Sequence, residues 1–140
     1  MTLDGRVNVD VLFHDVNGTS AIKVVSLNNS VEYPDGKVAV VTGTAGVAFK
    51  HLGTLSQTTY RNAAGEAVLM DSVERIIFIW SGDSPRTLAN YGEAANFQLL
   101  SARGIPAVTF FPSEIPDNVE LGGGAGTGTY KIILCESFNP

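Results

Sequence analysis

The chain has 140 residues, a formal net charge of −5 and 16% charged side chains, low against the roughly 25% of ordinary domains. That length buries a sizeable core without a disulfide or metal staple, so one β domain over residues 1–140 is expected. The acidic balance argues against a nucleic-acid partner, and no run approaches the roughly 18 apolar residues of a membrane span. Cys135 is the one cysteine, which excludes an internal disulfide and a cysteine-rich zinc site.

Residues 1–6 lack the basic and apolar regions of a secretory signal, so synthesis in a cytoplasm is expected. Residues 6–14 then alternate strictly: Val7, Val9, Val11 and Phe13 fall on one side, Asn8, Asp10, Leu12 and His14 on the other. Period two predicts a strand with one buried face. Asn17-Gly18 between apolar runs is a strong hairpin signal, because both residues tolerate positive φ. The return strand is expected over 19–27. Val31, Glu32 and Tyr33 resume the pattern, and Pro34-Asp35-Gly36 turns the chain again.

Residues 36–48 read Gly-Lys-Val-Ala-Val-Val-Thr-Gly-Thr-Ala-Gly-Val-Ala. This stretch resembles the first strand and glycine turn of short-chain dehydrogenases, whose glycines let a pyrophosphate approach backbone amides at a helix start. The match breaks at Gly46, which comes one residue early, and Val47 and Phe49 stand where that family has glycine. Residues 53–60 are rich in β-branched side chains and poor in helix formers, so the required βαβ unit is not predicted. The family's Tyr-x-x-x-Lys spacing recurs as Tyr33 and Lys37, but it straddles the Pro34-Asp35-Gly36 turn. No cofactor is expected. Residues 37–42 are predicted as a scaffold strand, with Gly43 and Gly46 bracketing a short loop or bulge.

Further strands are expected over 54–60 and 66–70, flanking a loop at 61–65, and over 73–80. The last has five consecutive apolar residues, Ile76 to Trp80, and should be central and covered on both faces. Ser84-Pro85 can open a short helix over 85–95. A hairpin of 96–102 against 105–111 around Arg103-Gly104, a proline- and glycine-rich loop, and a last strand over 127–136 complete the reading. The fold class is therefore all-β: an antiparallel sandwich or barrel-like fold with at most one short helix.

Gly82-Asp83-Ser84 resembles the nucleophile block of GDSL-type esterases. That family places its aspartate and histidine near the C-terminus, whereas His14 and His51 both precede Ser84. Ser84 is read as a capping serine, with a small hydrolase as a third functional reading. Two histidines 37 positions apart show no metal-ligand spacing, and no metal site is expected. Glycines 122–128 with Lys131 lack the Gly-Lys-Ser/Thr order of a phosphate loop. Cys135 follows an apolar run and reads as a small buried hydrophobe. Trp80, Tyr91, Tyr130 and Phe138 are either core aromatics or the stacking platform of a carbohydrate-binding sandwich.

End to end, this charge-poor all-β chain resembles the small accessory structural proteins of tailed bacteriophages. The local carriers are the Asn17-Gly18 and Asp35-Gly36 hairpins, the loop at 42–46 and the glycine loop at 122–128. The resemblance implies a non-enzymatic head-decoration or cement protein, or a small tail component, residing in the virion and made in the host cytoplasm. It implies a homo-oligomer, a trimer being common in such families, that buries surface against a capsid or tail protein, with no nucleic-acid or membrane partner. Thr2, Leu3, Arg6, Phe111, Ile115, Leu121 and Phe138 are the candidate contacts, because termini and loops carry function on rigid β scaffolds. A carbohydrate-binding β-sandwich module is the alternative.

Overall fold

The computed structural model describes residues 5–7, 10–14, 21–26, 31–33, 38–55, 60–70, 72–91, 96–114 and 116–136. Twelve strands and no helix are found among them. The first four are β1 (Gly5–Val7), β2 (Asp10–His14), β3 (Ala21–Ser26) and β4 (Val31–Tyr33). They pair antiparallel as β1 with β4 and β2 with β3. The hairpin expected around Asn17-Gly18 is thus present in its strands, and the turn itself lies outside the described residues. The strand expected over 6–14 is divided between β1 and β2.

Two four-stranded antiparallel sheets form the body. The first has the order β10-β7-β12-β5, from Ala107–Glu114, Val73–Trp80, Gly128–Cys135 and Val38–Ala45. The second has the order β6-β11-β8-β9, from Lys50–Gly53, Val119–Leu121, Arg86–Asn90 and Phe97–Ser101. Register puts Ile76 beside Leu134 and Ala39, Phe78 beside Ile132 and Val41, and Trp80 beside Tyr130 and Gly43. These rows form the inner face of the first sheet. Leu88, Leu99, Val119 and Leu121 of the second sheet join them in one buried cluster, which Leu55, Tyr60, Val68, Met70 and Val73 extend. Each fully buried aliphatic or Phe side chain contributes on the order of 2 kcal/mol, so this sandwich core is the main source of stability.

The consecutive apolar run in β7 is explained by its place between β10 and β12, with Ile77 of its outer face only 9% exposed. The dehydrogenase-like stretch becomes β5, antiparallel to β12 from Val38–Cys135 to Ala45–Gly128, so its geometry is not that of a βαβ unit. Gly43 continues the strand instead of ending it, since the Tyr130 ring lies where a Cβ would project.

Three expectations are corrected. Residues 86–90 are strand β8 and not helix: Arg86, Leu88 and Asn90 alternate inward against β9 and β11, and this burial overrides the Ser84-Pro85 start signal. β9 and β10 do not pair with each other. The Arg103-Gly104 turn, with φ of 55° and 74°, carries the chain from the second sheet to the first, docking through Arg103 N–H to Gly82 O and Gly104 N–H to Trp80 O. In place of a strand over 66–70 there is a turn whose Arg61 bridges Ala67, while β6 at Lys50–Gly53 precedes the strand expected over 54–60, of which 56–59 lie outside the described residues.

Candidate functional site

Trp80 is 1% exposed and Tyr130 is buried, so of the proposed aromatic platform only Tyr91 stands in solvent among the described residues. Phe138 lies outside them. Gly128 leaves room for the indole: a Cβ there would come within 2.9 Å of both the ring and the Gly82 backbone. Ser84 contributes its backbone carbonyl, which accepts from Trp80 Nε1 at 3.0 Å. His51 faces Glu120 on the second sheet, at 3.4 Å from Nδ1 to Oε1, and is not beside Ser84. Of the candidate contacts, Leu121 is fully buried in the core because it belongs to strand β11 and not to a loop. Phe111 likewise lies in a strand, β10, and Arg6 in β1. Thr2, Leu3, Ile115 and Phe138 lie outside the described residues.

The glycine loops that imitate phosphate sites are explained by Arg86. Its guanidinium, 1% exposed as a residue, donates from Nη2 to Ala48 O at 2.5 Å, from Nη1 to Gly46 O and from Nε to Gly122 O. Its carbon sits 5.0 Å over the Trp80 ring centroid, and Gly124 leaves room for its stem. Burial lowers its pKa from the ordinary value, yet an arginine starts so far above neutrality that it keeps its charge. The loops at 46–48 and 122–124 are thereby tied by one cation, and Gly124 N–H bonds Val47 O at 3.0 Å beside it. Carbonyl acceptors are present in every sequence, so no motif marks this tie.

Two buried titratable groups give the fold a defined alkaline limit. Tyr60 donates its hydroxyl to Leu55 O at 2.8 Å, and burial pushes its pKa up to about 12. Burial, with smaller opposing effects of Arg75 and Glu74, pushes the Cys135 thiol up to about 11. Both folded values lie above the ordinary 10.0 and 9.0, so folding favours the neutral forms. The stability this contributes is complete below pH 9 and is lost as pH rises through 11 and 12. Circular dichroism is expected to show unfolding in that window, and Cys135 is expected to resist thiol reagents at about pH 8, below its ordinary ionisation, until denaturant is added. Full thiol labelling of the native protein would refute this.

On the second sheet, alternation turns one face outward. Register places His51, Glu120, Ala89 and Gln98 in one row across all four strands. Thr87 and Leu100 form part of the next row, and Gly122 N–H bonds Thr87 O at 2.8 Å. The missing side chain at Gly122 and the small one at Ala89 leave a groove of about 230 Å³, lined by Phe49, Thr87, Tyr91, Gln98 and Glu120 besides these two. Phe49 and Tyr91 are each 55% exposed. The groove therefore offers two aromatic faces, a carboxylate, a carboxamide and a hydroxyl on a rigid β floor. The sequence pattern pointed to Tyr91 but not to Phe49, which stood out only as a departure from a family glycine.

No family model matches the chain, and no curated protein matches it. Among solved structures, it is similar to a crystal structure of an ethanolamine utilization protein Q from Salmonella typhimurium LT2, 12% identical, with a TM-score of 0.37, over 96% of this chain and 99% of that one. The expectation of a phage decoration, cement or tail protein is corrected by this comparison, which returns an ethanolamine utilization protein and not a phage structural protein. An overlap this loose transfers no activity or ligand to the present chain.

Proposed function

We propose that the chain is a non-catalytic recognition module that takes a saccharide on the outer face of its second sheet. The observation that carries the reading is the pair of exposed rings, Phe49 and Tyr91, in one groove with Thr87, Gln98 and Glu120. A sugar presents C–H faces that stack on aromatic rings and hydroxyls that need both donors and acceptors. The small volume suits one sugar ring, being below the roughly 300 Å³ at which drug-sized pockets begin. On a glycan array the protein is expected to retain a defined set of sugars. Tyr91→Ala and Phe49→Ala should each weaken that binding by about tenfold, equivalent to about 1.4 kcal/mol, with an unchanged thermal midpoint because both rings are exposed. An empty array, or binding indifferent to both substitutions, defeats the proposal.

Self-association supplements this reading. Low charge is joined by large apolar side chains in solvent at Val47, Leu69, Leu100, Ile105 and Val108. Sedimentation is expected to find a defined homo-oligomer, and a strict monomer at all concentrations removes this part.

A further inference from the structure

The outer face of the first sheet carries a second depression, opposite in character to the saccharide groove and separate from it. Edge strand β5 is flanked by the turn at 60–67, since Val40 N–H donates to Arg61 O at 2.6 Å and Arg61 bridges Ala67. Asn62, 8% exposed, fixes that turn: its Oδ1 accepts from the Ala64 and Glu66 amides at 2.9 and 3.0 Å. The other end of its carboxamide donates to the Glu66 carboxylate, so both ends of the side chain serve the turn. Between the turn and β12 runs a groove of about 740 Å³, lined by Val40, Thr42, Arg61, Asn62, Lys131 and Ile133 among others. This lies within the roughly 300–1,000 Å³ typical of small-ligand pockets.

The charge of this groove runs against that of the chain. Asp and Glu outnumber Lys and Arg by 14 to 9 overall, yet the charged groups lining it are Arg61 and Lys131, both exposed. Among the described residues neither has a carboxylate partner. Lys131 also lines the adjoining depression with Thr44, Ile79 and Ser81, so the face continues past it. From the cationic end an apolar row leads away: Val40 pairs with Ile133, Ile133 with Ile77, and Ile77 with Val108. Three strand spacings of about 4.8 Å give this row a length of roughly 14 Å. Ile77 is 9% exposed and Val108 47%, so the row deepens mid-sheet and opens at its far end.

We infer that this face binds a free aliphatic carboxylate. The carboxylate is held by Arg61 and Lys131, and the alkyl chain lies along Ile133, Ile77 and Val108. Guanidinium and ammonium donors meet a carboxylate in charge-assisted hydrogen bonds, and the branched side chains supply the apolar bed. Titration calorimetry with sodium decanoate tests it, with decanol and acetate as probes lacking the charge or the chain. Decanoate is expected to bind saturably at one site per chain. Decanol and acetate should each bind at least about tenfold more weakly. Arg61→Gln and Lys131→Gln should each weaken decanoate by about tenfold without changing the circular dichroism spectrum. Val108→Asp should weaken decanoate and leave acetate unchanged. Equal binding of decanol, many decanoates per chain, affinity untouched by the charge substitutions, or preference for anionic vesicles over free decanoate would each overturn the inference. The saccharide test uses different residues, so the two proposals fail separately.

Discussion

Arg86→Ala is expected to cost about 3–5 kcal/mol, because three backbone carbonyls lose their donor at about 1–3 kcal/mol for each left buried and unsatisfied. The substitution deletes a side chain that is 1% exposed, leaves a void beside Trp80, and releases the carbonyls of Gly46, Ala48 and Gly122. Against a total stability of about 5–15 kcal/mol, the urea midpoint should fall by about a fifth or more. Arg86→Lys should recover only part of this, because an ammonium lacks the planar fork that serves three acceptors. Amide exchange should accelerate at 46–48 and 122–124 before it does in β7 or β12. An unchanged midpoint in Arg86→Ala would show that the loops hold without their tie.

Trp80→Ala carries the second large expected loss, about 3–5 kcal/mol for a buried aromatic truncated to alanine. Its ring fills the space left open by Gly82 and Gly128, its Nε1 bonds Ser84 O, and Arg86 stacks on it. Trp80→Phe should lose less, since it retains a ring and forfeits one hydrogen bond of about 1 kcal/mol. Because the two side chains touch, the double substitution should depart from additivity by about 0.5–3 kcal/mol in urea unfolding. Strict additivity would mean that the stacking of Arg86 on Trp80 is energetically idle. Trp80 fluorescence should be unaffected by sugars, since the proposed groove lies elsewhere.

Local pattern was enough to read the elements whose burial follows from their own composition. The run of Ile76, Ile77, Phe78, Ile79 and Trp80 demands cover on two faces, and β7 has neighbours on both edges within a packed sheet. The all-β class followed from spacing and turn residues. Strand β8 was illegible for a physical reason: a Ser-Pro start favours a helix locally, and only the pairing of Arg86 with Ser101 and Leu88 with Leu99 makes the extended form better. Leu121 was misplaced because three residues, Val119–Leu121, are too few to show a period. Neither groove could be seen beforehand. Phe49, Tyr91 and Glu120 are far apart along the chain and line one groove only in the folded structure, as do Arg61 and Lys131. Arg86 gave no signal because backbone carbonyls are anonymous in sequence.

The order β10-β7-β12-β5 has a bearing on how the molecule is made. Strand β12 is the last of the twelve to be synthesised, yet it sits inside its sheet, between β7 and β5. On a ribosome, β5 must wait from Ala45 until Cys135 has emerged before it gains its partner strand, on the order of ten seconds at ordinary elongation rates. During that interval Val38, Val40 and Val41 form part of an apolar strand without its partner on the nascent chain. Yield in the cell should therefore depend more on holding chaperones and elongation speed than equilibrium stability alone would predict.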